Sequence, residues 1–218
     1  REFKRLHVKL VRDRALGISV EDGHVAAVKG EKGDYTASTV ILATGGLSYP
    51  ATGSTGDGFR MAEALGHTVT PLRGSLVPLE ARECAVLQGL SLRNVALTVY
   101  ENNKKIHSDF GEMLFTHFGV SGPLVLSASA YVKKSTYRLE IDLKPALDDK
   151  KLDARLLRDF GEQHTKQIST VMRGLLPQAM VEPVLDKAGV AVDTRISEIT
   201  KVQRAAIVNA LKHFYLTV

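Results

Sequence analysis

Thr39-Val40-Ile41-Leu42-Ala43-Thr44-Gly45-Gly46 runs on into Leu47-Ser48-Tyr49-Pro50-Ala51-Thr52-Gly53-Ser54-Thr55-Gly56-Asp57-Gly58-Phe59, and the fold turns on how this stretch is read. An apolar, β-branched run ends in small residues, a glycine-rich loop follows, and helical spacing opens at Asp57 and lasts to Leu65. The pattern predicts a strand over residues 40–43 and a helix over 57–65. Glycine has no Cβ, so another backbone or a ligand can come close to such a loop. Unpaired amides at the start of the helix favour an anionic group there. The stretch thus reads as the meeting of a phosphate-bearing ligand with a strand end and a helix start. On spacing alone, a glycine-rich connection that only turns the chain explains it equally well.

Upstream, residues 8–11, 15–20 and 24–29 have strand character, and Asp22-Gly23 between the last two is a strong hairpin signal. A second turn at 31–33 leads through Tyr35 to the 40–43 run, so a β-meander feeds the glycine loop. Downstream, Phe59, Met61, Ala62 and Leu65 share one helical face, and Gly66 sits where a glycine would end the helix. Residues 68–70 read as a strand, and Pro71 marks a boundary between a first region, 1–71, and a second, 72–218. In the second region, strands are expected over 76–79, 96–100, 113–116 and 137–143, with a turn at 101–104 and a short helix over 122–131 capped by Ser121. From Leu147 the pattern becomes helical, over 151–162, 167–175, 177–187 and 200–214, with a last strand over 215–218.

The chain has 218 residues, 44% of them hydrophobic and 24% charged, enough for one large or two small cores. No apolar run is long enough to span a bilayer. A single cysteine, Cys84, excludes an internal disulfide framework and fits a reducing, cytoplasmic setting. The net charge is +5, but the basic pairs Lys4-Arg5, Lys104-Lys105, Lys133-Lys134 and Lys150-Lys151 are scattered and no aromatics interleave with them. A solvated basic surface is therefore expected, with no nucleic acid and no membrane among the partners.

Ala43-Thr44-Gly45-Gly46 followed by Thr55-Gly56-Asp57-Gly58 resembles the flavoproteins with two dinucleotide-binding domains, such as the flavoprotein subunits of fumarate reductase and succinate dehydrogenase. The longer string ATGG-x-SYP-x-TGSTGDG, then Leu76-Val77-Pro78-Leu79, then Leu114-Phe115-Thr116-His117-Phe118-Gly119-Val120-Ser121-Gly122-Pro123, is similar to bacterial NAD(P)/FAD-dependent oxidoreductases of the aminoacetone oxidase-like or bile-acid-reductase-like kind. The resemblance implies an α+β chain. It combines a remnant of a two-dinucleotide-binding-domain FAD fold (meander, strand, glycine loop, helix) with an inserted domain of antiparallel β-structure followed by small helices. It also implies FAD as cofactor, held by Ala43, Thr44, Gly45, Gly46, Thr55, Gly56, Asp57 and Gly58, with NAD(P)H as a possible co-substrate. Such proteins begin with a strand–GxGxxG–helix unit that this sequence lacks, so an internal fragment is expected, partnered by the rest of its parent chain and by a small-molecule substrate. Asp57 would accept from a hydroxyl of the cofactor, away from the diphosphate.

The loop over 116–123 is the second candidate. It reads either as a strand-to-helix turn or as a substrate-side loop with His117, Ser121 and Gly122. Proline at 123 spoils a G-x-S-x-G nucleophile elbow. The seven histidines include no H-x-x-x-H pair, and no lysine follows the glycines as in a P-loop, so neither metal binding nor nucleotide hydrolysis is expected. Cys84 has no resolving partner and reads as packing. No residue stands out as a catalytic acid or base. The competing class is a non-enzymatic module that binds an anion or a partner.

Overall fold

A computed structural model describes residues 2–133 and 136–218; Arg1, Ser135 and Lys134, half of one basic pair, lie outside them. The chain divides into two units, Arg1–Leu72 and Arg73–Val218.

In the first unit a short helix α1 (Glu2–Arg5) precedes the strands β1 (Ala15–Glu21), β2 (His24–Gly30) and β3 (Asp34–Thr36), which form an antiparallel meander in chain order. Asp22 and Gly23 both take positive φ, 49° and 79°, as the tight hairpin turn requires. The meander is pinned at one end by Asp13. Its carboxylate accepts from the amides of Arg14 (2.8 Å) and Lys32 (3.1 Å) and from the Tyr35 hydroxyl (2.8 Å). Desolvation works to raise the Asp13 pKa, but these bonds to the charged form outweigh it and leave the group below its ordinary value. A depressed carboxylate stabilises the fold above its unfolded value and loses that contribution as pH falls through the folded one. Acidification below about pH 4 is therefore expected to strip exchange protection from the Lys32 amide before the second unit responds. Asp13→Asn should abolish that step; a step that persists in the variant would refute the clamp.

Helix α2 (Asp57–Ala64) completes the unit and ends as expected: the amides of Gly66 and His67 return to the carbonyls of Glu63 and Ala62, with Gly66 at φ 87°. Three expected strands do not form. Residues 8–11, 40–43 and 68–70 have no regular structure, and Ile41 is 88% exposed. A strand exists only when a neighbour takes up its amides and carbonyls, and the described residues offer these segments none. In residues 2–72 only Gly56, Gly58 and Met61 are buried, while Leu10, Ile41, Leu47 and Tyr49 face outward.

The second unit holds the core. Its strands are β4 (Leu79–Glu80), β5 (Ser91–Glu101), β6 (Lys104–Phe115), β7 (Gly119–Ser121), β8 (Tyr137–Asp142) and β9 (Phe214–Thr217), antiparallel in the order β4-β7-β6-β5-β8-β9. The expected 76–79 strand contracts to β4, those expected over 96–100 and 113–116 lengthen into β5 and β6, the one over 137–143 ends a residue early as β8, and the one over 215–218 shifts back by one residue as β9. Asn102 and Asn103, at φ 50° and 62°, make the β5–β6 turn. Alternation sets the buried face: Leu97 and Val99 from β5, Tyr137, Leu139 and Ile141 from β8, Phe214 and Leu216 from β9. The sheet curls, so that the 3-10 turn Arg82–Leu87 after β4 touches both β7 and β9. Cys84 sits in that turn, fully buried, and burial pushes its thiol up to about 11, which suits a packing role.

Helix α3 (Pro123–Ser129) lies against β6, and four helices follow β8: α4 (Asp149–Glu162), α5 (Ile168–Met172), α6 (Gln178–Lys187) and α7 (Lys201–Lys212). Leu152, Leu156 and Phe160 form the buried stripe of α4, and Ile207 and Leu211 that of α7. Thr200 and Gln203 close α7 with a capping box, and Arg204 pairs with Asp153 of α4 at 2.7 Å.

Candidate functional site

The two halves of the glycine string fold onto each other. The Gly56 amide donates to the Gly46 carbonyl at 3.1 Å. Gly58 packs beneath Thr44 so closely that a Cβ there would fall on the Thr44 hydroxyl oxygen. Gly45, at φ 76°, would place a Cβ 2.6 Å from Ser54 Oγ, and Gly56, at φ 79°, one 2.7 Å from Leu47. Between them Tyr49 at φ 57° and the 3-10 turn Pro50–Thr52 reverse the chain, held by Thr52 Oγ1 donating to the Tyr49 carbonyl at 2.7 Å. Ala43, Thr44 and Gly45 are exposed and Gly46 is half-buried, and among the described residues their backbone amides donate to no other group. The result is a small cradle with open donors on one rim and the start of α2 on the other, suited to an anionic or carbonyl-bearing ligand. The glycines and free amides fit the diphosphate and ring carbonyls of a flavin nucleotide, and a side chain at Gly45 or Gly58 would fill the space the loop needs.

Thr55, Gly56, Asp57 and Gly58 form the junction with α2, and Gly56 is its N-cap. Asp57 is not free. Its carboxylate pairs with Arg60 one turn on, and the Arg14 guanidinium beside β1 reaches it at 3.6 Å. These three side chains, with Leu16, Ile18 and Met61, line a cavity of about 230 Å³. Asp57 therefore ties α2 to the meander, and any ligand hydroxyl would share it with two arginines. Sequence spacing could expose the Arg60 pair at i+3, whereas Arg14 is brought in only by folding.

In the second unit the 116–123 segment splits into three pieces. Thr116 and Gly119 close a tight turn, with Thr116 N donating to the Gly119 carbonyl at 2.8 Å and Gly119 N to Thr116 Oγ1 at 3.1 Å. His117 and Phe118 stand exposed at its tip, edge to face with ring centroids 4.9 Å apart. Ser121 ends β7 opposite Leu114, so the expected Ser cap is corrected: Gly122 occupies the N-cap position of α3 and no side chain caps it. Strand pairing claims Ser121, and only glycine tolerates the φ 91°, ψ 168° at 122 that swings the chain into the helix. Among the described residues no cluster of histidine, cysteine or carboxylate groups could hold a metal ion, and no helix is long and apolar enough to cross a membrane.

Comparison with known proteins adds relatives to this geometry. The ribosomal RNA dihydrouridine synthase of Haemophilus influenzae is 34% identical over 187 residues, which is 84% of this chain and 44% of the relative. The ribosomal RNA dihydrouridine synthase of Escherichia coli is 29% identical over 181 residues, 79% of this chain and 42% of the relative. The 3-dehydro-bile acid delta(4,6)-reductase of Clostridium scindens is 25% identical over 226 aligned positions, 100% of this chain and 54% of the relative, in keeping with the bile-acid-reductase-like resemblance of the sequence. The chain spans about half the length of these curated relatives. Residues 73–218 match the family described as HI0933-like protein barrel and H2TH domain, and that match takes in the whole curled sheet and every helix after it. The chain belongs to the HI0933-like family.

Proposed function

We propose that the full-length protein is a cytoplasmic, FAD-dependent reductase that saturates a carbon–carbon double bond conjugated to a carbonyl, with uridine in ribosomal RNA as the favoured substrate. The observation that carries the reading is a chemistry shared by relatives whose named substrates differ. Dihydrouridine is uridine with two hydrogens added across a ring double bond conjugated to a carbonyl. A 3-dehydro bile acid unsaturated at positions 4 and 6 has its double bonds conjugated to the 3-oxo group. In both, hydride adds at the carbon remote from the carbonyl, negative charge collects on the carbonyl oxygen, and a proton completes the neighbouring carbon.

A flavin bound here would supply hydride chemistry, with NAD(P)H as co-substrate providing the electrons. In this chain Ala43, Thr44, Gly45 and Gly46 would offer amides to the cofactor, and Thr55, Gly56, Asp57 and Gly58 would carry it toward the start of α2. The rest of the parent chain would complete the nucleotide site. His117, exposed and without an ion-pair partner among the described residues, remains the side chain suited to donate to a substrate carbonyl. Ser121 and Gly122 stay substrate-side candidates through their backbone.

The higher identity of the Haemophilus relative favours RNA over the earlier expectation of a small molecule alone. A steroid-like enone is the second reading, favoured by the Clostridium relative, which aligns with the whole chain. The test uses purified full-length protein with NAD(P)H. It should carry flavin, lose the flavin colour under NAD(P)H, and add the mass of two hydrogens to uridine in unmodified ribosomal RNA. Turnover of the enone alone selects the small-molecule reading. A colourless protein inert to NAD(P)H leaves the non-enzymatic module.

A further inference from the structure

Three neighbouring strands of the curled sheet put flat, polarisable groups side by side on the face turned away from the core. Tyr100 of β5 alternates with buried Val99, Arg138 of β8 with buried Tyr137 and Leu139, and Tyr215 of β9 with buried Phe214 and Leu216. Tyr100 lies opposite Arg138 in the β5–β8 register. The Arg138 guanidinium carbon is 4.8 Å from the Tyr100 ring centroid and 4.9 Å from that of Tyr215, so one cation is shared by two rings. His213 extends the row, its ring 16° from parallel to Tyr215 with centroids 6.2 Å apart. Phe110 on β6, in register with Ala96 and so further along the sheet from Tyr100, is 58% exposed.

The charges on this face are not balanced. Glu140 is answered by His213 at 3.1 Å, and Asp142 by Lys212 at 2.6 Å. Both acids thus have partners of their own, while Arg138, and Lys105 opposite Tyr100, have no carboxylate partner among the described residues. Among the described residues the row presents two tyrosines and an arginine rather than an aliphatic stripe, which weighs against a helix as occupant.

We propose that this face of β5, β8 and β9 is a stacking platform for the unpaired bases of single-stranded RNA. The inference rests on the RNA reading above and adds a surface to it. Every base has a π-face, so stacking on tyrosine and guanidinium tolerates any sequence, while a duplex hides those faces. Arg138 is held upright between two rings, so little side-chain freedom is lost when a base or a phosphate meets it. The sequence concealed the platform because its aromatic and basic members come from three separate strands; folding alone interleaves them.

The test is fluorescence anisotropy of a short, uridine-rich, labelled single strand with the full-length protein, without NAD(P)H so that nothing turns over. The double variant Tyr100→Ala/Tyr215→Ala is expected to bind at least about tenfold more weakly, and the Tyr100→Phe/Tyr215→Phe pair within about twofold of the parent. Arg138→Ala, at an exposed position, should also weaken binding and flatten its salt dependence, even if the tyrosine pair proves too unstable to assay. A duplex should compete poorly. A parent protein that ignores single strands, or an Arg138→Ala variant that binds them with unchanged affinity and salt slope, overturns the proposal. So does a folded alanine pair with parental affinity. The enone assay separates the two readings. A protein that reduces the enone but ignores RNA loses the platform and keeps the reductase; one that binds RNA through this face and reduces nothing does the reverse.

Discussion

Replacing Gly122 by alanine is expected to destabilise the curled sheet and α3 by about 3–5 kcal/mol, enough to lower the melting temperature of that unit by roughly 10 °C. Two independent costs add. The backbone at 122 has φ 91° and ψ 168°, a region that essentially only glycine enters. A Cβ built there would also stand 2.9 Å from Met113 Cα and 3.1 Å from Leu114 N, both backbone atoms of β6 that no rotamer change can move. Ser121→Ala is the control. Its hydroxyl makes no cap bond, so the change should stay within about 0.5 kcal/mol, whereas loss of a true N-cap would cost about 1 kcal/mol. Thermal unfolding of the full-length variants checks both. A Gly122→Ala protein as stable as its parent, or a Ser121→Ala protein clearly weakened, would restore the serine-cap account.

The same position shows where sequence reasoning stops. Ser-Gly-Pro ahead of an apolar run announces a helix start, and the helix is there, because proline in the first turn and the apolar spacing are local facts. Which residue caps it depends on β7, a three-residue strand that exists only because β4 and β6 flank it. Hairpins were legible for the same local reason. Asp22-Gly23 and Asn102-Asn103 dictate their own turns, and the alternation of Leu139 and Ile141 marks the buried face of β8 without help from any neighbour. The run at 40–43 is the opposite case. Its β-branched residues state a preference for strand, but a strand is a pairing, and the described residues supply no partner for Ile41 or Leu42. The candidate site divides along the same line. The glycines announced a close approach, and Gly58 against Thr44 is one. Arg14 against Asp57, and the Tyr100–Arg138–Tyr215 row, join residues whose separation in sequence carries no signal at all.

Gly58→Ala in the full-length protein is expected to weaken flavin binding by about 10- to 100-fold while leaving α2 at least as stable as before. Glycine is the poorest helix former short of proline, and Gly58 lies inside α2, so alanine ordinarily favours this helix. The new methyl group would instead fall on the Thr44 hydroxyl, with Leu42 Cγ 3.6 Å away, and push the Thr44-Gly45-Gly46 turn off the start of the helix. That turn carries the unpaired amides proposed to meet the cofactor, so the damage goes to the ligand and spares the fold. A second change identifies the cause. Thr44→Ala removes the atom in collision, and the double variant Thr44→Ala/Gly58→Ala should regain flavin relative to Gly58→Ala alone, provided the turn is what matters. Flavin occupancy after purification and the dissociation constant on reconstitution are the readouts, with helix content followed by circular dichroism. Full flavin loading in Gly58→Ala would mean that the cofactor does not rest on this loop. Lost loading that Thr44→Ala cannot relieve would place the requirement at Gly58 itself, with the ligand and not Thr44 filling the space where a Cβ would be.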